Sequence, residues 1–301
     1  MVKFYMMIGL PASGKSTIAK EILELEDAVI VSSDEIRREW GNVNDQSQNA
    51  RVFEEVEKRL KQDILEGRNV IFDATNISYK KRKAWLERFN RYDIQKIAVL
   101  VATPYEECLE RNSKRERKVS EEVITRMYHN FYIPQYYERF DEILIKYNSE
   151  YEFNWLAIEL DDIPQDNPHH TLSVVGHCLA VARCLKKEKY DLWVAGLLHD
   201  IGKIKTKTFV NMKGETTEVA HFYNHEKVSA YDALFYEDIR SLVNMFNDKA
   251  TTVLNILKLI QWHMIMHFEM SDKTIAKYKN MLGENTWKDL EILHKADCEA
   301  R

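Results

Sequence analysis

The chain has 301 residues, 45% of them hydrophobic and 30% charged, with a formal charge of −5 at pH 7. That balance belongs to folded globular domains and leaves enough chain for two cores. It excludes a disordered polymer, and no apolar run approaches the ~20 residues of a bilayer span. An acidic net charge argues against non-specific adhesion to nucleic acid, although local basic patches remain compatible with it. The N-terminus enters a strand at once, so no signal peptide is expected. Cys108, Cys178, Cys184 and Cys298 form no CxxC pair and are expected as reduced core thiols of a cytoplasmic protein.

Composition changes along the chain. Nine of the ten histidines lie at or after His169, and strand-like segments are frequent only before about Tyr147. The acidic stretch 148–168, with prolines near its end, marks the boundary. The expected organisation is an α/β domain over 1–150, a linker over 151–168 and an all-α domain over 169–301.

The first predicted strand, Lys3 to Ile8, runs into Gly9-Leu10-Pro11-Ala12-Ser13-Gly14-Lys15-Ser16-Thr17. This is the G-x-x-x-x-G-K-[ST] phosphate loop. Its glycines let backbone N–H groups converge on one anion. Lys15 reaches the outer phosphates and the Ser16 hydroxyl holds Mg²⁺. The helix predicted over Ser16 to Leu25 adds a favourable dipole. An ordinary glycine turn is the plain alternative, and the strand–loop–helix context makes it the weaker one. Gly9, Ala12, Ser13, Gly14, Lys15, Ser16 and Thr17 are therefore the expected nucleotide contacts.

A second strand, Ala28 to Val31, ends near Asp34, and ligands of open α/β sheets sit beyond strand carboxyl ends. There Asp34 meets an acceptor hydroxyl and accepts its proton. Arg37, one helical turn on, grips a second anionic group of the acceptor. Simple helix capping by Ser33 or Asp34 is the competing explanation. A helix over Gln46 to Leu65 leads to a third strand, Asn69 to Phe72. Asp73 follows it, placed to touch a metal-bound water or the acceptor, or merely to order the loop. A helix over Ser78 to Arg91 opens with Lys80, Lys81, Arg82 and Lys83. Three of these read as a solvated face and Arg82 as an acceptor contact. A fourth strand, Ile94 to Val101, is followed by the basic run 110–118. Arg111 and Arg115, four apart, face one site if that run is helical, as lid arginines neutralising transferred phosphate. Asp141 to Tyr147 closes a parallel sheet of about five strands.

GLPASGKST, Asp34-x-x-Arg37, VIFDATN, the KKRKAW helix and RNSKRERKV together resemble the kinase domain of the 5′-hydroxyl polynucleotide kinases of bacteriophage and bacterial RNA repair. The resemblance covers residues 1–147. It implies ATP or another NTP with Mg²⁺ on Lys15 and Ser16, and Asp34 as general base toward a 5′-OH. It also implies Arg37 on the acceptor phosphate and Arg115 on the donor phosphates. In that family the third-strand aspartate directly precedes the threonine, whereas here Ala74 intervenes.

The second domain opens with a helix from Pro168-His169-His170 to about Lys187, placing Val174, His177, Val181 and Leu185 on one face. A lone histidine on an apolar face is normally a core residue. A helix over Leu192 to Leu198 then ends in His199-Asp200-Ile201-Gly202-Lys203. His221 and His225 are four apart, as are His263 and His267, and Asp297 lies near the C-terminus. Histidines and aspartates in this order on successive helices mark a metal site, suited to Mn, Fe, Ni, Co or Zn. The polar segment 206–220, with Lys213-Gly214, reads as a hairpin-like excursion over that site.

SVVGHCLAVA, GLLHDIGK, YNHEKVSA, LIQWH and KADCEA resemble the HD phosphohydrolase superfamily over 169–301. The resemblance implies His177, His199, Asp200 and Asp297 as core metal ligands, and His225 and His263 as extra ligands of a two-metal site. Lys203 then stabilises phosphate charge, with His170, His221 and His267 either near the ligands or the substrate or purely structural. Together the two resemblances imply an end-healing enzyme of the cytoplasm of a bacterial or phage-infected cell. Its partners are RNA or DNA ends bearing 5′-OH and 3′-phosphate or 2′,3′-cyclic phosphate, with a ligase acting downstream and no membrane. Two alternatives stay open: a nucleoside, metabolite or modified-base kinase fused to an HD nucleotidase, and a nucleotide-regulated binding protein with an inactive HD site.

Overall fold

The computed structural model describes residues 1–41, 47–168, 171–245 and 251–300. The predicted start of the third helix at Gln46, and His169 and His170, lie outside them. Two compact units emerge: Met1–Ile124 with Pro134–Glu150, and Thr125–Ile133 with Tyr151–Arg301.

In chain order the first unit begins with β1 (Val2–Ile8), α1 (Lys15–Glu26), β2 (Ala28–Ser32), α2 (Ser33–Glu39) and α3 (Asn49–Leu65). It continues with β3 (Asn69–Asp73), α4 (Tyr79–Arg88), β4 (Ile94–Ala102) and α5 (Tyr105–Ser113). After α6 (Glu121–Tyr128) the chain returns for β5 (Glu142–Tyr147). The strands form one parallel sheet in the order β2-β3-β1-β4-β5. Parallel strands are covered on both faces, which is why their sequences are nearly continuous apolar runs. Alternate side chains divide them. Tyr5, Met7, Ile71, Val99 and Val101 pack with Ala19 of α1. Phe4 lies 5.1 Å from Phe89, and Phe72 lies 4.8 Å from Trp85 of α4, ring centre to ring centre.

The second unit is helical: α7 (Trp155–Leu160), α8 (Val174–Cys184), α9 (Tyr190–Leu198), α10 (Lys203–Thr206), α11 (His225–Asp232), α12 (Glu237–Met245), α13 (Thr251–Trp262), α14 (Asp272–Leu282) and α15 (Glu284–Glu299). Among its described residues, an antiparallel ribbon of β6 (Lys207–Val210) and β7 (Thr216–Phe222) interrupts the helices and supplies the expected hairpin. α9 packs against α8 and α13, α13 against α11, and α15 against α8. Val194, Leu198, Ile256, Leu257, Ile260 and Leu290 are fully buried there. Thr125–Ile133 belongs to this unit, where Phe131 sits 4.8 Å from Tyr231 and the Tyr128 hydroxyl donates to Asp232. Of the cysteines, Cys108 and Cys178 are core thiols, as expected. Cys184 is exposed and Cys298 half-buried, because their helical positions face away from the apolar stripe. No helix among the described residues is long and apolar enough to cross a membrane.

Candidate active sites

β1 is the central strand, with β3 on one side and β4 on the other. The loop beyond Ile8 therefore opens at the switch point where open sheets bind ligands. Gly14 has φ 91°, and a Cβ there would lie 1.9 Å from Asn148 Nδ2. That amide donates to the Ser13 carbonyl at 2.8 Å, and Thr103 Oγ1 donates to the same oxygen at 2.8 Å. The chain following β4 and β5 thus pins the loop, and only glycine fits at its tightest point. α1 starts directly after it with no side-chain cap, which leaves its first-turn N–H groups for an anion.

Lys15 is buried and donates through Nζ to the Leu10 carbonyl at 2.6 Å. Burial lowers its ammonium to about 8, while Asp73 and Asp34 pull the other way. Ser16 Oγ donates to Asp73 Oδ2 at 2.9 Å. Asp73 thus stands beside the expected Mg²⁺ hydroxyl, and Ser32 is its register partner on β2.

Asp34, 50% exposed in the first turn of α2, holds two arginines. Oδ1 accepts from Arg37 at 3.0 Å and Oδ2 accepts from Arg117 at 2.9 Å. Arg37 is buried and also donates to Asn49 Oδ1 at 2.6 Å, while its Nε makes no hydrogen bond. Arg111 donates to the Asn148 carbonyl at 2.7 Å and lies beside Gly14. Arg115 is exposed, yet close enough to Lys15 to lower its pKa.

Two readings from the basic segments change. α5 stops at Ser113, so the helical spacing that paired Arg111 with Arg115 does not extend to Arg115. Arg117, overlooked by that spacing, is the arginine of this segment that meets Asp34 beside Arg37. Arg82 is not an acceptor contact. It is fully buried, donates twice to Glu138 at 2.7 Å and once to the Asn76 carbonyl at 2.8 Å. Its position on the packed face of α4 leaves nothing for a ligand, and only the neighbouring lysines can form a solvated face.

In the second unit, His177, His199, Asp200, His225, His263 and Asp297 converge from separate helices, all buried. α8 carries His177 and α15 carries Asp297. His199 and Asp200 follow α9, His225 opens α11, and His263 follows α13. Nδ1 of His199, His225 and His263 faces the carbonyls of Gly196, Phe222 and Ile260 at 2.8, 2.7 and 2.7 Å. His177 Nδ1 faces the Ala300 carbonyl at 3.3 Å. A carbonyl only accepts, so each Nδ1 carries a proton, and a neutral ring turns the Nε2 lone pair inward.

Those lone pairs meet each other and two carboxylates. His225 Nε2 lies 3.4 Å from His263 Nε2, and Asp200 Oδ1 lies 3.1 and 3.5 Å from the two. His177 Nε2 is 2.9 Å from Asp297 Oδ1, and His199 Nε2 is 3.4 Å from Asp200 Oδ2. His199 Nε2 and Asp200 Oδ1 are buried without a hydrogen bond of normal geometry. Burial opposes ionisation of both aspartates. The ammonium of Lys203 nevertheless holds Asp200 well below the usual carboxylate range, and the hydrogen bond from His267 favours the ionised form of Asp297. Buried acceptors facing acceptors are costly unless a cation stands among them. This donor set fits a divalent metal, with backbone carbonyls orienting each imidazole.

Lys203 is buried, donating to Asp200 Oδ2 at 2.7 Å and Gln165 Oε1 at 2.8 Å. It holds the carboxylate in place. His267 donates to Asp297 Oδ2 at 2.8 Å. His221, on β7, stacks on Tyr223 and bonds Thr217 Oγ1 at 3.2 Å.

Comparison with known proteins matches residues 4–134 to the family described as AAA domain and residues 169–298 to the family described as HD domain. The chain joins an AAA domain to an HD domain. Among curated proteins, the L-seryl-tRNA(Sec) kinase of Methanococcus maripaludis is 24% identical over 212 residues, covering 61% of this chain and 83% of that protein. Among solved structures, a chain of the Pnkp1/Rnl/Hen1 RNA repair complex is 24% identical with a TM-score of 0.39, covering 42% of each chain. This chain thus spans about two fifths of that one. A structure from Chloroflexus aurantiacus is 13% identical with a TM-score of 0.41, covering 50% of this chain and 86% of that one.

Proposed function

We propose that the AAA domain phosphorylates 5′-OH polynucleotide ends and that the HD domain hydrolyses 3′-phosphate or 2′,3′-cyclic phosphate ends. The observation that carries the first half is the Asp34 carboxylate, flanked by Arg37 and Arg117, beyond the strand next to β3. A general base needs a hydroxyl within hydrogen-bond reach, and neighbouring guanidiniums hold a phosphate beside it. Polynucleotide acceptors carry such a phosphate one linkage from the reacting hydroxyl. We assign that phosphate to Arg37 and Arg117, the two guanidiniums on Asp34. Lys15 and Arg111 would hold the donor phosphates, and Ser16 with Asp73 would hold the Mg²⁺ that accompanies them. The curated relative is by name a kinase of seryl-tRNA, which favours an RNA-borne hydroxyl over a free metabolite.

In the HD domain, His177, His199, Asp200 and Asp297 would hold one metal, and His225 and His263 with Asp200 a second. A metal held by these residues would supply a nucleophilic water at neutral pH and neutralise phosphate charge. Lys203 keeps Asp200 ionised and aimed at the centre.

The test is one incubation of a short RNA bearing a 5′-OH and a 2′,3′-cyclic phosphate with ATP, Mg²⁺ and Mn²⁺, followed by mass mapping of both ends. A 5′-phosphate gained and a 3′ phosphate opened or lost supports both halves. A change at the 5′ end alone removes the polynucleotide role of the HD domain and points to free nucleotides. No change at either end favours a small-molecule kinase fused to a nucleotidase.

A further inference from the structure

We propose that His267, His294 and Cys298 form a second, half-exposed site for a borderline-soft divalent cation of the Zn²⁺ type, joined to the buried centre through Asp297. His267 closes the 3-10 turn His263–His267 that follows α13, and His294 and Cys298 lie one helical turn apart on α15. One donor atom from each falls within 4.8 Å of the others.

The separations fit coordination better than hydrogen bonding. Zn–N bonds of ~2.1 Å and Zn–S bonds of ~2.3 Å give tetrahedral edges of ~3.4 Å between nitrogens and ~3.6 Å between nitrogen and sulfur. His294 Nδ1 lies 3.4 Å from His267 Nε2. Cys298 Sγ lies 3.7 and 3.9 Å from the two nitrogens of His294. Asp297 supplies the link, with Oδ1 2.9 Å from His177 Nε2 and Oδ2 2.8 Å from His267 Nε2. The second contact is shorter than a tetrahedral edge and marks a hydrogen bond from His267; on binding, the ring proton moves from Nε2 to Nδ1 and leaves the Nε2 lone pair for the cation. The Cys298 thiol proton leaves at the same time, so thiolate sulfur, two imidazoles and a carboxylate oxygen complete four ligands. Nitrogen–sulfur donors select Zn²⁺ or Co²⁺ over Mg²⁺. The six side chains proposed to ligate at the buried centre include no sulfur, which separates the two sites chemically. The proposal stands whether or not the HD domain acts on RNA ends.

The test titrates the full chain with Co²⁺ and follows sulfur-to-cobalt charge transfer in the near ultraviolet, with bound metal counted after gel filtration. The expected result is a thiolate band in the unmodified chain and in Cys184→Ser, absent in Cys298→Ser and in His294→Ala. Each of the latter two binds one metal fewer per chain. Circular dichroism confirms that they stay folded. No thiolate band in the unmodified chain, or equal metal content in Cys298→Ser, overturns the site.

Discussion

Asp34 and Lys15 carry opposite demands on burial. Asp34 is half exposed and held by two guanidiniums, so replacing it leaves the fold and the phosphate loop intact. Asp34→Asn is expected to lower kcat by ~10²–10⁴, the span of a lost general base, with nucleotide affinity nearly unchanged. Steady-state kinetics beside a nucleotide-binding titration checks this, and lost binding in a folded variant would remove the general-base role. Lys15 is buried with its ammonium lowered to about 8. Below that value the free protein carries the charge that phosphate needs, and above it the proton is lost. Nucleotide affinity should then weaken by up to ~10-fold per pH unit above about 8, measurable with a fluorescent nucleotide. The sign reverses for stability. A lysine with a depressed folded pKa binds fewer protons folded than unfolded, so the nucleotide-free unit gains stability from about pH 8 up toward 10.5. Arg82 illustrates a third case. Arg82→Ala strands the buried Glu138 carboxylate and should cost ~3–5 kcal/mol, read as a fall in Tm with the acceptor KM unmoved. A raised KM at unchanged Tm would restore the acceptor role.

Elements fix what single residues can reach. α10 and α11 approach so closely that a Cβ on Gly202 would meet the His225 carbonyl at 2.4 Å and the Ser229 nitrogen at 2.6 Å. The glycine after His199-Asp200-Ile201 therefore sets where α11 begins, and with it the His225 ring. Gly202→Ala should shift that helix start and weaken metal binding by ~10–100-fold, the usual cost of disturbing a ligand's support. Metal titration of the folded variant tests this, and unchanged affinity would show that α11 moves without its histidine. The elements also explain what was hard to read from the chain. The Asp34–Arg37 pair was legible because both residues lie on one short helix. Arg117 was not, because α5 ends at Ser113 and helical spacing gives no guide beyond it. Asp73 was legible as a strand-end carboxylate, but its hydroxyl partner Ser16 is 57 residues away. His294 and Cys298 have a one-turn spacing that a search for ligand pairs on α15 would find. The His267 that completes them sits on another segment.

At the scale of the whole molecule, the chain divides into two compact units, each holding one of the two candidate sites. Asp200→Ala should strip metal from the buried centre and abolish phosphoester hydrolysis while phosphoryl transfer continues. Parallel assays of both reactions with metal analysis decide it, and surviving hydrolysis would overturn the assignment. Chelation of the transition metal should act the same way, with acidic pH favouring release because protonated imidazoles cannot ligate. By itself the sequence determined the phosphate loop, the parallel α/β class, the helical second half and the order of histidines and aspartates. These signals are local, since one loop wraps one anion and each strand or helix writes its own period. Only the tertiary structure decided which basic residues face Asp34, that Arg82 is locked onto Glu138, and that four imidazoles point their Nε2 atoms at two carboxylates. Those outcomes depend on which faces pack together, a property of side chains far apart in the chain.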